Sequence, residues 1–252
     1  MPEVEFRFYE ELNDFLPERR RKGSFVHRFD GTPSVKDVIE SLGVPHAEVD
    51  LVLVDGQSVG FDRRLSGGER IAVYPVFERL DISGLTRLRP EPLRESRFIA
   101  DVHLGRLARY LRLLGFDTSY RNDLDDEEIA TRARSERRIV LTRDRGLLKR
   151  KTVTRGHWVR ATNAGEQLHE VVRAFDLAKS VDPFTRCLVC NGRLQFVAKR
   201  EVAELLPEET REHFDTFLRC VDCARLFWPG AHYSRLSALV ESVKERAPDA
   251  YP

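Results

Sequence analysis

Residues 138–146 read RIVLTRDRG, an apolar run that ends at a single acidic residue, Asp144. Residues 97–101, RFIAD, repeat the pattern and end at Asp101. A short apolar run that stops at a polar turn is typical of a buried strand. The two stretches therefore predict two buried strands, each ending at an acid.

Helix-forming segments alternate with strand-forming segments around these two stretches. The helical segments read VHLGRLARYLRLLG (102–115), DDEEIATRARSER (125–137) and NAGEQLHEVVRAFDL (163–177). Further short strands read FDTSY (116–120) and GHWVRA (156–161). Alternation of this kind predicts an α/β domain built on a parallel sheet with right-handed crossovers.

Three acids are expected at one edge of this sheet, because the carboxyl ends of parallel strands share an edge where ligands bind. Asp101 and Asp144 end two strands, and Asp126 lies where DLDDEEIA (123–130) starts another helix. Clustered carboxylates repel one another unless a cation lies among them, and oxygen ligands suit Mg²⁺ or Mn²⁺. Such ions activate water and stabilise the leaving oxygen of a phosphodiester. The sequence thus predicts a divalent-cation site formed by Asp101, Asp126 and Asp144.

Helix capping is the alternative explanation for these acids. Asp is a favoured N-cap residue, and all three segments begin helices. Asp125 and Glu128 fit a capping box, which would leave Asp126 as the acid that faces the sheet edge. Taken singly, each aspartate is more often a cap than a ligand, so both explanations stay open at this point.

The net charge of the chain is only +1, but the charges are segregated. Residues 121–128, RNDLDDEE, are mostly acidic, whereas residues 132–160 carry many arginines and lysines. An acidic patch suits cations, and a basic surface suits polyanions. Solvated helix faces are the alternative explanation for either patch.

Four arginines are candidates for contact with a phosphate backbone. Arg106 and Arg109 lie off the apolar stripe of their predicted helix, and Arg143 and Arg145 flank Asp144. Guanidinium groups bind phosphate oxygens strongly, although a solvated face also explains Arg106 and Arg109. The stripe predicts the core side of the helix and consists of Leu104, Leu107, Ala108, Leu111 and Leu114.

The four cysteines form two C-x-x-C pairs, Cys187 with Cys190 and Cys220 with Cys223, and none is left over. In a chain without a secretory signal, such pairs predict a zinc site rather than disulfides. Each pair can form a knuckle that presents two thiolates, and two knuckles complete a closed tetrahedral structural site. Redox chemistry is the alternative.

The 29 residues between the pairs, 191–219, exceed the usual spacing of a zinc ribbon. We therefore expect an insertion, an acidic helix around residues 201–217. Asn191 and Gly192 directly follow the first pair and allow the turn that a knuckle needs.

Residues 1–80 predict a self-contained ubiquitin-like β-grasp domain. The segments VEFRFYE and SFVHRFDG predict two paired strands, and PSVKDVIESLGV predicts a helix with Ser34 as N-cap and Gly43 past its end. DLVLVDGQSVG then predicts a strand and a tight turn, and GGERIAVYPVF a last strand. This order of elements is that of a β-grasp fold.

The remaining boundaries follow from composition. Residues 81–96 hold two prolines without a clear apolar period and predict a linker. The α/β domain is predicted at 97–180, the zinc ribbon at 181–236, and a C-terminal helix and tail at 237–252. No apolar run is long enough to span a bilayer, and the first residues lack the order of a signal peptide, so we predict a cytoplasmic protein without a membrane partner.

Three segments resemble the Mut-seven carboxy-terminal RNase family, a PIN-like nuclease fold with an attached zinc ribbon. They read RFIADVHLGRLARYLRLLGFDT, DDEEIATRARSERRIVLTRDRGLLKR and RCLVCNGRL with FLRCVDCARLFWPGAHYSRL, and the match covers residues 97–236. The resemblance implies that Asp101, Asp126 and Asp144 take the positions of the PIN-type acids, with Thr142 in the strand-end T-x-D. PIN nucleases commonly have a fourth acid after the next strand, where this chain offers Asn163 and, further on, Glu166.

The N-terminal segment is similar to the ubiquitin-like domain that is often fused ahead of that family, and to small sulfur-carrier proteins. Those carriers need a free C-terminal Gly-Gly. Here the Gly67-Gly68 pair lies inside the chain, ahead of the last predicted strand. We therefore predict the fold of a sulfur carrier without its thiocarboxylate chemistry.

The sequence and the resemblance together predict a divalent-metal-dependent ribonuclease that hydrolyses RNA phosphodiester bonds. Asp101, Asp126 and Asp144 would bind catalytic Mg²⁺ or Mn²⁺, and the four cysteines would bind structural zinc. The alternative is a non-catalytic RNA-binding or adaptor protein whose β-grasp domain docks a protein partner. The arginines expected to contact RNA are Arg106, Arg109, Arg143 and Arg145. In the ribbon, further candidates for RNA contact are Arg193, Lys199, Arg219 and Arg225. Trp228 and Tyr233 either stack on bases or pack in the core.

Overall fold

The structure is a computed structural model that describes residues 1–75, 86–88 and 96–245. The chain divides into two compact units, Met1–Glu95 with Asp125–Trp158, and Ser96–Leu124 with Val159–Pro252. The first unit therefore joins the predicted β-grasp region to part of the predicted nuclease region. The predicted linker lies outside the described residues, except for residues 86–88 and 96.

Strands and helices alternate along most of the described chain. The strands are β1 (Glu3–Phe8), β2 (Ser24–Arg28), β3 (Val49–Val54), β4 (Gln57–Ser58), β5 (Arg70–Pro75), β6 (Phe98–Ala100), β7 (Thr118–Ser119), β8 (Ile139–Thr142), β9 (Gly156–Trp158), β10 (Leu194–Val197), β11 (Phe217–Cys220) and β12 (Leu226–Phe227). The α-helices are α1 (Val35–Ser41), α2 (Gly105–Leu113), α3 (Asp126–Ser135), α4 (Arg145–Leu148), α5 (Ala164–Ala174), α6 (Lys199–Val202), α7 (Glu208–His213) and α8 (Tyr233–Glu245). No helix within the described ranges has both the length and the apolar character that crossing a bilayer requires.

The N-terminal sheet has five strands in the order β2-β1-β5-β3-β4. The central strands β1 and β5 are parallel, and β2 and β3 pair antiparallel on either side of them. Alternate residues of β1 point into the core, because Val4, Phe6 and Phe8 are buried while Glu3 and Arg7 are exposed. The mixed sheet with a single helix confirms the predicted ubiquitin-like domain.

Helix α1 begins and ends where the sequence predicts. The Ser34 hydroxyl accepts a hydrogen bond from the Asp37 amide, and the Asp37 carboxylate accepts one from the Ser34 amide, which completes a capping box. Gly43 follows the helix with a φ of +100°, which favours glycine.

The Gly67-Gly68 pair lies in the turn before β5. Both glycines have positive φ, 108° and 89°, and the Gly68 amide donates to the Glu3 carbonyl at 2.7 Å. The Glu69 carboxylate closes the turn by accepting from the Gly67 amide at 2.7 Å. This places the pair inside the chain, as predicted. The end of the predicted last strand, residues 76–77, lies outside the described residues.

The nuclease region contains two pairs of parallel strands. In the first compact unit, β8 pairs with β9, with Leu141 opposite His157. In the second unit, β6 pairs with β7, with Phe98 opposite Thr118. The predicted stripe on α2 faces the core, since all five of its residues are buried: Leu104, Leu107, Ala108, Leu111 and Leu114.

The predicted single acidic helix at 201–217 is wrong. The segment instead forms α6, a 3-10 helix at Ala203–Leu205 and α7, and Phe217 already belongs to strand β11. Pro207 explains the break, because proline has no amide hydrogen to donate to a preceding turn and here serves as the N-cap of α7. The insertion between the cysteine pairs is therefore built from short elements. At the C-terminus α8 covers residues 233–245, and residues 246–252 lie outside the described part.

Candidate functional site

The sulfur atoms of the four cysteines form one compact cluster. The Sγ atoms of Cys187 and Cys223 are 3.7 Å apart, those of Cys190 and Cys220 are 3.4 Å apart, and all four lie within 4.8 Å of one another. Four sulfurs at the usual zinc–sulfur distance of about 2.3 Å in a tetrahedron are roughly 3.8 Å from each other. The cluster therefore has the size that a tetrahedral metal ion requires.

The two C-x-x-C pairs adopt the same turn. The Cys187 carbonyl accepts from the Asn191 amide, and the Cys220 carbonyl accepts from the Ala224 amide, each at 3.0 Å. Asn191 and Ala224 both have positive φ, 75° and 58°. Matching turns on matching spacings produce two knuckles that point their sulfurs at a common centre, as the sequence predicts.

Gly192 lets the two knuckles approach each other. A Cβ atom at this position would lie 2.9 Å from the Cys220 sulfur and 2.3 Å from the Asp222 Oδ2. In the predicted Asn191-Gly192 turn the roles are thus divided, since Asn191 takes the positive φ and Gly192 supplies the space.

Adjacent thiols in the cluster differ in pKa, and a cation bound among them would favour the ionised form of each. Burial raises the pKa of the Cys187 thiol, and it raises the pKa of Cys190 to about 12. The amide of Arg225, which donates to the Cys223 sulfur, lowers the pKa of Cys223 to about 7. Four adjacent thiols cannot all ionise without a positive charge among them, whereas a bound metal ion makes each of them a thiolate ligand.

Arg112, which we did not predict as a functional residue from the sequence, connects helix α2 to the first knuckle. Its side chain is buried, 3% exposed, and its Nε donates to the Thr118 carbonyl at 2.9 Å. Its Nη1 donates to the Val189 carbonyl at 2.9 Å, between the two cysteines of the knuckle. Burial lowers its pKa, and the nearby Cys187 and Cys190 oppose that shift. The only sequence signal is its position between two buried leucines.

A second set of contacts fastens the same knuckle to strand β7. The side-chain amide of Asn191 donates to Asp117 Oδ1 at 2.8 Å, and its carbonyl oxygen accepts from the Thr118 amide at 3.0 Å. Arg186 donates to the Gly115 carbonyl at 3.0 Å, and its Nη2 lies 3.6 Å from Asp117 Oδ2. The knuckle and the α2–β7 segment therefore form one polar network inside the second unit.

Asp101 lies at the end of β6 and is buried, 5% exposed. It precedes a 3-10 helix, Val102–Leu104, and its side chain makes no capping hydrogen bond to that helix. The capping explanation therefore does not account for the Asp101 carboxylate.

Asp125, not Asp126, is the N-cap of α3. The Asp125 carboxylate accepts from the Glu128 amide at 2.8 Å, and Glu128 completes the predicted capping box. The Asp126 side chain is 45% exposed and has an ion pair with Arg150 at 3.8 Å. This confirms the assignment of the cap that the sequence favoured.

Asp144 does cap a helix. Its Oδ1 accepts from the Gly146 amide at 2.7 Å at the start of α4, and its own amide donates to Thr142 Oγ1 at 2.9 Å. Asn163 caps α5 in the same way, through the Gly165 amide at 2.8 Å. Glu166, the other candidate for a fourth ligand, lies in the first turn of α5.

In the described part of the chain, the four cysteines are the one group of three or more His, Cys, Asp or Glu side chains close enough together to hold a metal ion. Asp101, Asp126 and Asp144 do not form such a group. The divalent-cation site on Asp101, Asp126 and Asp144 thus remains a prediction.

The predicted RNA-binding arginines fall into two groups. Arg106, Arg109 and Arg143 are exposed. The guanidinium of Arg145, in contrast, lies 3.8 Å from the ring centre of Trp158 and 5.2 Å from that of Phe15. Cation–π contact of this kind holds Arg145 against the β-grasp domain.

The candidates in the ribbon also differ in their surroundings. Arg193, Arg219 and Arg225 are exposed, and Lys199 donates to Asp215 at 2.8 Å. Trp228 and Tyr233, the two candidates for stacking, are both exposed and line one cleft.

The β-grasp domain contacts strand β9 through buried charged groups within the first unit. Glu48 and His157 are both buried, with Oε2 and Nδ1 3.7 Å apart, and the Trp158 amide donates to the other Glu48 oxygen. Arg155 Nη2 lies 3.6 Å from the buried Asp50. The opposite charges of Arg155 and Asp50 help to specify how the two surfaces fit, because a buried charge without a partner would be costly.

Two protein-family models match the chain. Residues 96–240 match the family model of the Mut7-C RNAse domain, and residues 1–81 match that of the Mut7-C ubiquitin domain. No curated protein matches the chain. Among solved structures, the crystal structure of H. volcanii small archaeal modifier protein 1 is similar, with 16% identity and a TM-score of 0.25 over 31% of this chain and 100% of that one. Since the first model covers more than half of the sequence, the chain belongs to the Mut7-C RNAse domain family, with a Mut7-C ubiquitin domain at its N-terminus.

Proposed function

We propose that this protein is a ribonuclease that hydrolyses RNA phosphodiester bonds with Mg²⁺ or Mn²⁺ bound by Asp101, Asp126 and Asp144. The observation that carries the proposal is membership of the Mut7-C RNAse domain family, whose model spans residues 96–240 and includes all three aspartates. A divalent ion held by carboxylates activates water and stabilises the leaving oxygen of a phosphodiester.

The capping contacts support the role of these acids. Asp101 occupies the N-cap position of the 3-10 helix Val102–Leu104 but makes no side-chain capping hydrogen bond to it, and Asp126 lies in the first turn of α3, which Asp125 caps. Asp144 caps α4 through Oδ1, and a carboxylate with one oxygen in a cap still has a second oxygen with lone pairs for a cation. Helix capping therefore does not use all the carboxylate oxygens of Asp126 and Asp144.

Arginines are proposed to hold the RNA. The exposed Arg106, Arg109 and Arg143 would bind phosphate oxygens, and Arg145 would add positive charge while it stays packed on Trp158. Their role is to position the backbone, since a guanidinium does not give up its proton at neutral pH.

The cysteine cluster is proposed to hold structural zinc. Four thiolates leave no open position for water, which is the pattern of structural rather than catalytic zinc sites. The side chains of Arg112 and Asn191 connect the first knuckle to α2 and β7. Zinc would therefore fix the helix that carries Arg106 and Arg109.

The contact between the β-grasp domain and β9 bears on the alternative of an adaptor protein. Glu48 and Asp50 face His157 and Arg155 of the same chain, so this surface is already occupied. A protein partner would have to use another surface of the β-grasp domain. We propose that the domain supports the nuclease segment.

Cleavage of a labelled single-stranded RNA in Mn²⁺ tests the proposed function. The adjacent residues Asp126 and Asp125 provide a matched pair of variants. Asp126→Asn should lower the cleavage rate about 100-fold or more, as expected for loss of a metal ligand. Asp125→Asn keeps a good cap and should cleave like the wild type. Absence of cleavage by the wild type across RNAs of varied sequence would refute the proposal.

A further inference from the structure

One face of the zinc-ribbon sheet is apolar and open to solvent. Residues two apart on a strand share a face, and Phe196 of β10 lies opposite Leu218 of β11, which lies opposite Phe227 of β12. Leu194 shares this face with Phe196. We call these four residues the aromatic face. Phe196 is 82% exposed, although it is a large apolar side chain.

The opposite face of the sheet already has its packing partners. Phe217 on that face is buried with Val202 and Leu206 of the inserted segment, and Val197 and Leu226 pack against them. The small core of the ribbon thus lies on one side of the sheet. The exposure of Phe196 on the other side is not needed to build that core.

A cleft of about 780 Å³ adjoins the aromatic face. Leu194, Leu218 and Phe227 line it from the sheet, and Trp228 and Tyr233 line it with rings that are 37% and 43% exposed. A volume of this size lies in the range of sites for small organic ligands. The ring of Tyr233 is held in place, because it stacks on Phe184 with ring centres 5.1 Å apart.

The charged lining of the cleft is mainly basic. Arg109 of α2 and two exposed histidines, His213 and His232, line it, together with Arg186 and the acidic Glu209. Flat aromatic rings beside a guanidinium offer what an unpaired nucleotide needs, a surface for the base and a cation for its phosphate.

We propose that this cleft and the aromatic face bind unpaired bases of single-stranded RNA, with Arg109 at the phosphate. This proposal rests on the proposed function, since the ligand is the RNA that is proposed as the substrate. Arg109 lies on α2, which follows Asp101 after one short 3-10 helix at Val102–Leu104. Bases held here would belong to the same strand as the bond that is cut.

Stacking on aromatic rings also indicates how selective the site is. Every base has a π-face, so rings bind bases with little regard to sequence, whereas selectivity would need hydrogen bonds to base edges. The rings of Phe196 and Phe227 have no hydrogen-bonding group. The aromatic face should therefore accept single strands of many sequences and reject duplexes, whose bases are already stacked. Any preference among bases should come from the cleft, where Trp228 carries an N–H group and Tyr233 an O–H group.

The test is RNA affinity of the full-length chain without divalent ions, measured by fluorescence anisotropy of labelled oligouridine and oligoadenosine. Phe196→Ala and Trp228→Ala should each weaken binding about tenfold, the usual effect of removing one stacking ring. Leu205→Ala is the matched control, because Leu205 is an equally apolar ribbon residue, 65% exposed and outside the aromatic face. Trp228→Phe keeps a ring and guards against simple misfolding of the alanine variant.

Binding of a mononucleotide tests the base site independently of RNA cleavage. The chain has two tryptophans, Trp158 and Trp228. Uridine or adenosine 5′-monophosphate should quench the fluorescence of the wild type and leave that of Trp228→Phe unchanged. If the wild type fails to cleave RNA yet shows this quenching, the base site stands and the nuclease proposal falls.

The opposite result overturns the base site alone. Wild-type cleavage together with unchanged RNA affinity in both Phe196→Ala and Trp228→Ala would show that the surface does not bind RNA. Loss of a dimer in Phe196→Ala, with RNA affinity intact, would assign the surface to a second copy of the chain. Failure of the wild type to bind either oligonucleotide would also refute the site.

Discussion

The Nη1 of Arg112 donates a hydrogen bond of 2.9 Å to the main-chain carbonyl of Val189, in the middle of the first cysteine knuckle. Arg112 belongs to α2, the helix whose exposed side carries Arg106 and Arg109. The helix that is proposed to hold RNA is therefore fastened to the loop that is proposed to hold zinc. Through this link the proposed zinc would support RNA binding without taking part in the cleavage reaction.

Metal content is the first prediction. The protein purified without chelator should contain about one zinc per chain, because four thiolates at these distances form a closed tetrahedral site. Cys187→Ala or Cys220→Ala should release the zinc and loosen the ribbon, which proteolysis and elemental analysis would detect. Chelation and re-addition of zinc to the wild type is the control. Zinc-free protein of full stability would contradict the prediction.

Arg112→Met tests the link itself. The substitution keeps a long apolar side chain but leaves the carbonyls of Thr118 and Val189 without their donor. The free energy of unfolding should fall by about 2–4 kcal/mol, because buried polar groups lose their partners. Arg109→Met, on the exposed side of the same helix, should change it by less than about 0.5 kcal/mol. Equal melting curves for the two variants would show that the link does not stabilise the fold.

Asp144→Asn distinguishes a metal ligand from a helix cap. Asparagine is also a good N-cap, so the melting temperature should stay near that of the wild type. Cleavage of single-stranded RNA in Mn²⁺ should be abolished, because the metal loses a charged ligand. RNA binding should stay intact or tighten slightly, since repulsion toward phosphate decreases. Unchanged cleavage with unchanged stability would instead assign Asp144 to capping.

Arg106→Ala should affect binding rather than chemistry. Loss of one phosphate contact should weaken RNA binding and lower the slope of log affinity against log salt by about one unit. Arg28→Ala, an exposed β-grasp arginine that pairs with Glu3, is a control with the same change in net charge. An equal loss of affinity in both variants would point to net charge rather than to a site.

Local rules predicted much of this structure because the interactions behind them are local. The N-cap predicted at Ser34 and the capping box predicted at Asp125 each involve four consecutive residues, and each C-x-x-C knuckle closes within five. The prediction of one helix at 201–217 failed because it overlooked that Pro207 would interrupt a helix. Each of these features can be read from a short window of sequence.

Long-range packing set the features that the sequence did not reveal. Arg112 bonds a residue 77 positions away, and Glu48 bonds the Trp158 amide 110 positions away. Arg145 likewise packs on Phe15 of the β-grasp domain, whereas the sequence placed it only beside Asp144. No spacing rule links such partners, because the fold alone brings them together.

The stability of the β-grasp domain should depend on pH through His46. Burial lowers the pKa of His46, despite the 2.7 Å contact of its Nδ1 with Glu40, and the charge of Lys36 lowers it further. The folded protein therefore takes up the proton less readily than the unfolded chain. The free energy of unfolding should keep its full value above about pH 6.5, the ordinary pKa of histidine, and should fall as the pH drops below it.

The measurement is the free energy of unfolding in urea from pH 7.5 to 5. His46→Gln should flatten this dependence. Burial, with help from Arg20, also lowers the pKa of His27, so His27→Gln should flatten it separately and the double variant most. The range stops at pH 5 because Asp37 and Glu69 add their own loss of stability at lower pH. Hydrogen bonds from Ser34 lower the pKa of Asp37. Burial acts to raise the pKa of Glu69, but hydrogen bonds from the amides of Ser66 and Gly67 outweigh it, so that this pKa is lowered as well. A slope that is the same in the wild type and the double variant would show that neither histidine is responsible.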